Sequence, residues 1–187
     1  MKSLYTYIVE PLHGKLYNNV KKFEGGELIT SSSIENHTTT NRYATVLAPP
    51  EKIKTPVLKG ATIIVHHNVF RKYNDMKGIE QYAAGLIKDN MYMVDPYQVF
   101  MYRNPGEEKW TTLDPYCFIS PVDNDIDLHN GSEKEMYGVM EYPNTYMNNL
   151  GLKKGDLIAF KTDSEYEFNI EGKKYYRVNS NNICLTK

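Results

Sequence analysis

Apolar positions along the chain fall in short alternating or continuous runs, cut at close intervals by Gly, Pro and Asn clusters. That is the punctuation of strands and tight turns. Runs such as Tyr7-Ile8-Val9, Thr62-Ile63-Ile64-Val65 and Leu157-Ile158-Ala159-Phe160 are too short for buried helices and rich in β-branched and aromatic residues. One stretch departs from this. Between Tyr73 and Ile87, residues Ile79, Tyr82, Ala83 and Leu86 recur at i, i+3, i+4 and i+7, which predicts one short helix or a decorated hairpin.

Compared with itself, the chain repeats once, in four strand-like blocks that keep their order. Tyr7-Ile8-Val9-Glu10-Pro11 matches Cys117-Phe118-Ile119-Ser120-Pro121. Arg42 to Pro49 matches Met136 to Pro143, and Leu58 to Val65 matches Lys153 to Phe160. Tyr92 to Met101 pairs with Tyr176 to Leu185. The first copy carries a longer early loop and an extra late insertion. The reading is therefore all-β: two tandem small antiparallel barrels, the first over 1–103 with room for one short inserted helix, a polar linker over 104–112, and the second over 113–187.

Composition narrows the function. Lys and Arg number 22 against 23 Asp and Glu, so no basic excess invites nucleic acid or an anionic membrane surface. The start, Met1-Lys2-Ser3-Leu4-Tyr5-Thr6, lacks the apolar core of a signal peptide, and no run reaches membrane-spanning length. A soluble, cytoplasmic protein is expected. Its two cysteines, Cys117 and Cys184, are then expected as reduced, buried thiols.

At these blocks the chain resembles the GroES-type co-chaperonins, twice over and across nearly its whole length. Glu10-Pro11-Leu12-His13 is similar to the family's opening step into a long loop. Gly25-Gly26-Glu27-Leu28-Ile29 is similar to the two glycines and apolar triplet inside that loop, with Glu27 in place of the first apolar residue. Leu152-Lys153-Lys154-Gly155-Asp156 fits the step into the family's apolar strand, and Leu58-Lys59-Gly60-Ala61 fits it more loosely. Neither copy has the long hairpin that roofs a typical dome, which is similar to tandem, roofless organellar and bacteriophage relatives. The resemblance implies a homo-oligomeric ring that caps a GroEL-type chaperonin, encloses non-native substrates indirectly, and needs no cofactor beyond the ATP or ADP its partner binds. In a phage relative the setting would be the cytoplasm of a bacterial host. It also implies a binding loop at Gly25 to Ile29, with Ile126 and Leu128 of the second copy as the alternative, and a seam between subunits at Leu4, Ile8, Ile183 and Leu185. A β-barrel structural or assembly adaptor without chaperonin binding is the competing function.

The residues themselves leave two readings of the loop open. Leu28 and Ile29 are apolar on a polar stretch from Tyr17 to Thr40, so they are either exposed anchors on a loop without sustained structure or core residues of an ordinary hairpin. No catalytic constellation is expected: the chain has no phosphate loop or nucleophile elbow, and Glu133, Glu135, Glu165, Glu167 and Glu171 sit among lysines on solvated strands. No metal site is expected either. His66 and His67 are adjacent on a strand end, where side chains point to opposite faces, and the other histidines lie far apart in sequence.

Overall fold

The first repeated block, Tyr7–Pro11, forms β1 and buries Tyr7, Ile8, Val9 and Pro11. The computed structural model describes residues 1–29, 38–123 and 133–186, with backbone alone at 21, 22, 185 and 186. Within that range the protein is all-β and its sheets are antiparallel. The chain divides into two compact units, Met1–Lys109 and Trp110–Lys187.

In the first unit β1 is followed by a small hairpin, β2 (Val20–Phe23) and β3 (Gly26–Ile29), then by β4 (Tyr43–Ala48) and β5 (Thr62–Val65). A second hairpin follows, β6 (Lys72–Asn74) and β7 (Glu80–Tyr82), before β8 (Leu86–Lys88), β9 (Met91–Val94) and β10 (Val99–Arg103). Six of these strands form one sheet in the order β10-β5-β4-β1-β9-β8, and each hairpin is a two-stranded sheet of its own. Strand β4 shows why the alternation matters. Ala44, Val46 and Ala48 are buried while 43, 45 and 47 are only partly so, which gives the sheet one dry face.

The second unit opens with the two-residue β11 (Thr111–Thr112), then β12 (Tyr116–Asp123), β13 (Glu133–Tyr142), the helix α1 (Thr145–Asn149), β14 (Leu157–Phe160), β15 (Tyr166–Ile170), β16 (Lys173–Asn179) and β17 (Ile183–Thr186). Its sheet runs β17-β14-β13-β12-β16-β15. Strand for strand this is the order of the first unit, with β12 in the place of β1 and β17 in the place of β10. The likeness extends to irregularities. A bulge lies between Ile8 and Val9 against β4, and another between Phe118 and Ile119 against β13; a short 3-10 turn precedes both β10 and β17. The core of this unit gathers Cys117, Ile119, Met140, Met147, Leu152, Ile158, Phe160 and Val178. Gly138 belongs to that packing: a Cβ there would fall 2.5 Å from Ile119 Cδ1, so only glycine lets β12 and β13 approach with Ile119 between them.

Two expectations change. No helix occupies 73–87; β6, β7 and β8 do. Asp75 decides it locally, its Oδ1 accepting the Lys77 and Ile79 N–H groups and its Oδ2 the Gln81 side chain, while Gly78 turns at φ +75°. A carboxylate that caps its own turn competes with helix formation. The one α-helix among the described residues lies in the second unit instead, where Asn144 Oδ1 accepts the Met147 N–H at 2.8 Å and Gly151 at φ +89° ends it. No helix among the described residues is long and apolar enough to cross a membrane.

Candidate functional site

The sequence from Gly25 to Ile29 turns out to be neither an unstructured loop nor a core hairpin. Glu24-Gly25 is a two-residue turn with Gly25 at φ +107°, a conformation side chains rarely adopt, and it folds β2 back on β3. The register pairs Val20 with Ile29, Lys21 with Leu28, Lys22 with Glu27 and Phe23 with Gly26. Phe23 lays its ring over the bare Gly26 position, 3.4 Å from where a Cβ would stand. The arm joins no larger sheet, so its apolar side chains stay in solvent: Phe23 is 60% exposed, Leu28 57% and Ile29 65%, with Val20 also exposed.

Exposure here follows from topology, and the root of the arm explains why it stands where it does. Asn18 N–H donates to Thr39 O at 2.7 Å and Asn41 N–H to Leu16 O at 2.8 Å, closing the stem. The buried Asn41 side chain clamps it, Nδ2 donating to Leu12 O and Lys15 O while Oδ1 accepts the Tyr43 N–H. Tyr17 adds a tie, its hydroxyl accepting the Lys72 N–H at 2.8 Å where β6 begins.

Cross-strand partners share a face of a two-stranded ribbon and adjacent residues do not. Val20 and Ile29 therefore lie on one face, and Phe23 and Leu28 on the other. The two residues singled out in the sequence point opposite ways, and the side chain that accompanies Leu28 is Phe23, which sequence reasoning passed over. Its only signal was a lone aromatic next to a Glu-Gly-Gly turn.

The other expected positions are dispersed. Ile126 and Leu128 lie outside the described residues. Of the seam set, Leu4 is exposed, while Ile8 is buried in a strand whose two edges are taken by β4 and β9. Ile8 is thus excluded from an open seam. Ile183 and Leu185 do lie on β17, the last strand of its sheet among the described residues, paired with β14 on one side. Cysteine burial also divides. Cys117 is fully buried, its thiol pushed up to about 12 by burial, whereas Cys184 is exposed on the strand opposite the Ala159/Phe160 irregularity.

Charged groups gather around Lys174. Lys174 Nζ bridges Glu133 at 2.8 Å and Glu167 at 3.3 Å, and the Tyr176 hydroxyl donates to Glu133. Burial would raise the Glu133 carboxyl, but the Lys174 and Tyr176 hydrogen bonds outweigh it and hold the group below its usual range. The His66 and His67 rings do not splay apart; their centroids are 4.2 Å apart because His67 already belongs to a 3-10 turn, and His66 Nδ1 accepts the Asn68 N–H. Among the described residues, no three His, Cys, Asp or Glu side chains converge as a metal site would require. A scan against protein-family models finds no match to the chain, and a search of curated proteins finds none either.

Proposed function

We propose that the protein is a co-chaperonin whose two units act as tandem GroES-like barrels and whose β2–β3 arm docks on a GroEL-type chaperonin ring. One observation carries this: a hairpin that forms a two-stranded sheet of its own presents Phe23, Leu28, Ile29 and Val20 to solvent, a costly display unless a partner covers them. The shared strand order of the two units supports the tandem resemblance.

Magnitudes favour a preformed arm. Burying Leu28 or Ile29 gains roughly 1.5–3 kcal/mol each, while ordering a free loop costs about 1–2 kcal/mol per residue and would consume that gain. A hairpin that is already folded avoids most of the ordering cost. An isolated two-stranded hairpin is only marginally stable, so the Asn41 clamp matters. Because the apolar pairs lie on opposite faces, the partner groove must enclose the arm on both sides. Several arms on one ring would then turn later contacts into intramolecular ones and multiply a weak single contact.

In the assembly we propose, β17, an edge strand among the described residues, lies beside residues 3–5 of a neighbouring copy, since β1 itself has no free edge. The protein would bind no nucleotide; the partner ring would. Sedimentation of the full chain with a purified chaperonin, with and without ATP or ADP, tests the proposal. Nucleotide-dependent co-sedimentation is expected. Stable incorporation into another particle regardless of nucleotide would favour the assembly adaptor.

A further inference from the structure

A cleft of about 590 Å³ opens in the first unit, away from the apolar arm's exposed residues. Its volume lies within the range of small-ligand sites. Asn68 and Val69 of the 3-10 turn after β5 contribute to it, with Arg71 and Tyr73 at the entry to β6. The Ala83-Ala84-Gly85 segment, Met93 and Tyr97 supply most of the remaining lining. The lining mixes the apolar and aromatic Val69, Tyr73, Met93 and Tyr97 with the polar Thr6, Asn68, Asp95 and Gln98.

Arg71 is the one cation among the lining residues, and its guanidinium has no carboxylate partner among the described residues. Its Nε is sealed from solvent without any hydrogen-bond acceptor among the described residues. The groups that a ligand in the cleft could meet are therefore the terminal Nη1 and Nη2 of the guanidinium. The only acid in the lining, Asp95, is already engaged. It accepts the Gln98 N–H in a capping box and the Tyr97 hydroxyl, whose pKa the carboxylate raises.

We propose that this cleft binds a monocarboxylate with an apolar or aromatic body, its carboxylate taken by the Arg71 guanidinium and its body laid among Tyr73, Tyr97 and Met93. One guanidinium matches one carboxylate in a bidentate fork, whereas a phosphate dianion would keep an unneutralised charge near Asp95. The same chemistry is offered by the free C-terminus of a chain ending in an apolar residue and by a small organic acid. This site stands apart from the arm, and it can fail or hold without affecting the docking proposal.

Titration of the full chain by calorimetry, with three probes, tests it: an acetylated tripeptide ending in Leu-COOH, the same peptide as its amide, and 3-phenylpropionate. The acid peptide, the phenylpropionate or both should bind, and the amide should bind at least about tenfold more weakly. Binding by the peptide acid alone assigns a chain terminus; equal binding by phenylpropionate assigns a free organic acid. Arg71→Gln should weaken the acid about tenfold or more and leave the amide unchanged, with Arg71→Lys in between. No binding of either acid at millimolar concentration, equal binding of acid and amide, or acid binding untouched by Arg71→Gln in a folded variant would overturn the proposal. The acid-to-amide comparison on the unmodified protein holds even if the variant fails to fold.

Discussion

Two residues carry chemistry whose outcome is decided by burial alone. Cys117 sits in the core with its thiol pushed up to about 12, so it is almost wholly protonated at neutral pH, while Cys184 meets solvent. Alkylation of the native protein followed by peptide mass analysis should find label on Cys184 and none on Cys117. Rapid labelling of both would mean that β12 is not buried. Asn41 makes a comparable point about polar groups. Its side chain satisfies two carbonyls and one N–H at the root of the arm, so Asn41→Ala should cost about 1–3 kcal/mol in the unfolding free energy and raise amide exchange in β2 and β3. Unchanged exchange would show that the stem holds without the clamp.

Elements were legible in the sequence where a strand belongs to a large sheet and less so where it does not. The four repeated blocks are strands in both units, alternating where one face is buried, as in β4, and continuously apolar where both are, as in β5 and β10. The two hairpins gave no such signal, because neither joins a larger sheet among the described residues. Leu28 and Ile29 read equally well as anchors or core, since whether a strand joins a sheet is a tertiary fact that no local spacing encodes. The helical spacing of Ile79, Tyr82 and Leu86 was overridden by the Asp75 turn, whereas α1 was missed because only Met147 of its five residues is buried. That Asp75 turn has a pH signature. Its carboxylate is held below the ordinary value of 3.8, first by the Ile79 N–H and then by Lys77 and Gln81. A lowered folded-state value means that the stabilisation is complete above the ordinary carboxylate range and is lost as pH falls through the lowered value. The Lys77 and Ile79 amide shifts should therefore titrate with a midpoint below 3.8. A midpoint at or above it would contradict the cap, and Asp75→Asn should weaken exchange protection of the β6–β7 pairs.

At the scale of the whole molecule, the proposals concern assembly and docking. If β17 of one copy lies beside residues 3–5 of the next, a cysteine placed at Leu4 or Tyr5, both exposed, should form an intermolecular disulfide with the native Cys184 under mild oxidation of the assembled protein. A ladder of linked chains that disappears with Cys184→Ser is expected. Assembled protein without that ladder would put the seam elsewhere. Head-to-tail contacts of this kind close into a ring when the rotation allows, which is the form an arm-bearing lid needs. The most direct measurement is made on the arm. Leu28→Ser with Ile29→Ser removes apolar groups that are already in solvent, so the thermal unfolding free energy should change by about 0.5 kcal/mol or less. Nucleotide-dependent co-sedimentation with the chaperonin, measured on the same preparation, should be lost. A double variant that unfolds several degrees earlier yet still co-sediments would contradict the anchor role.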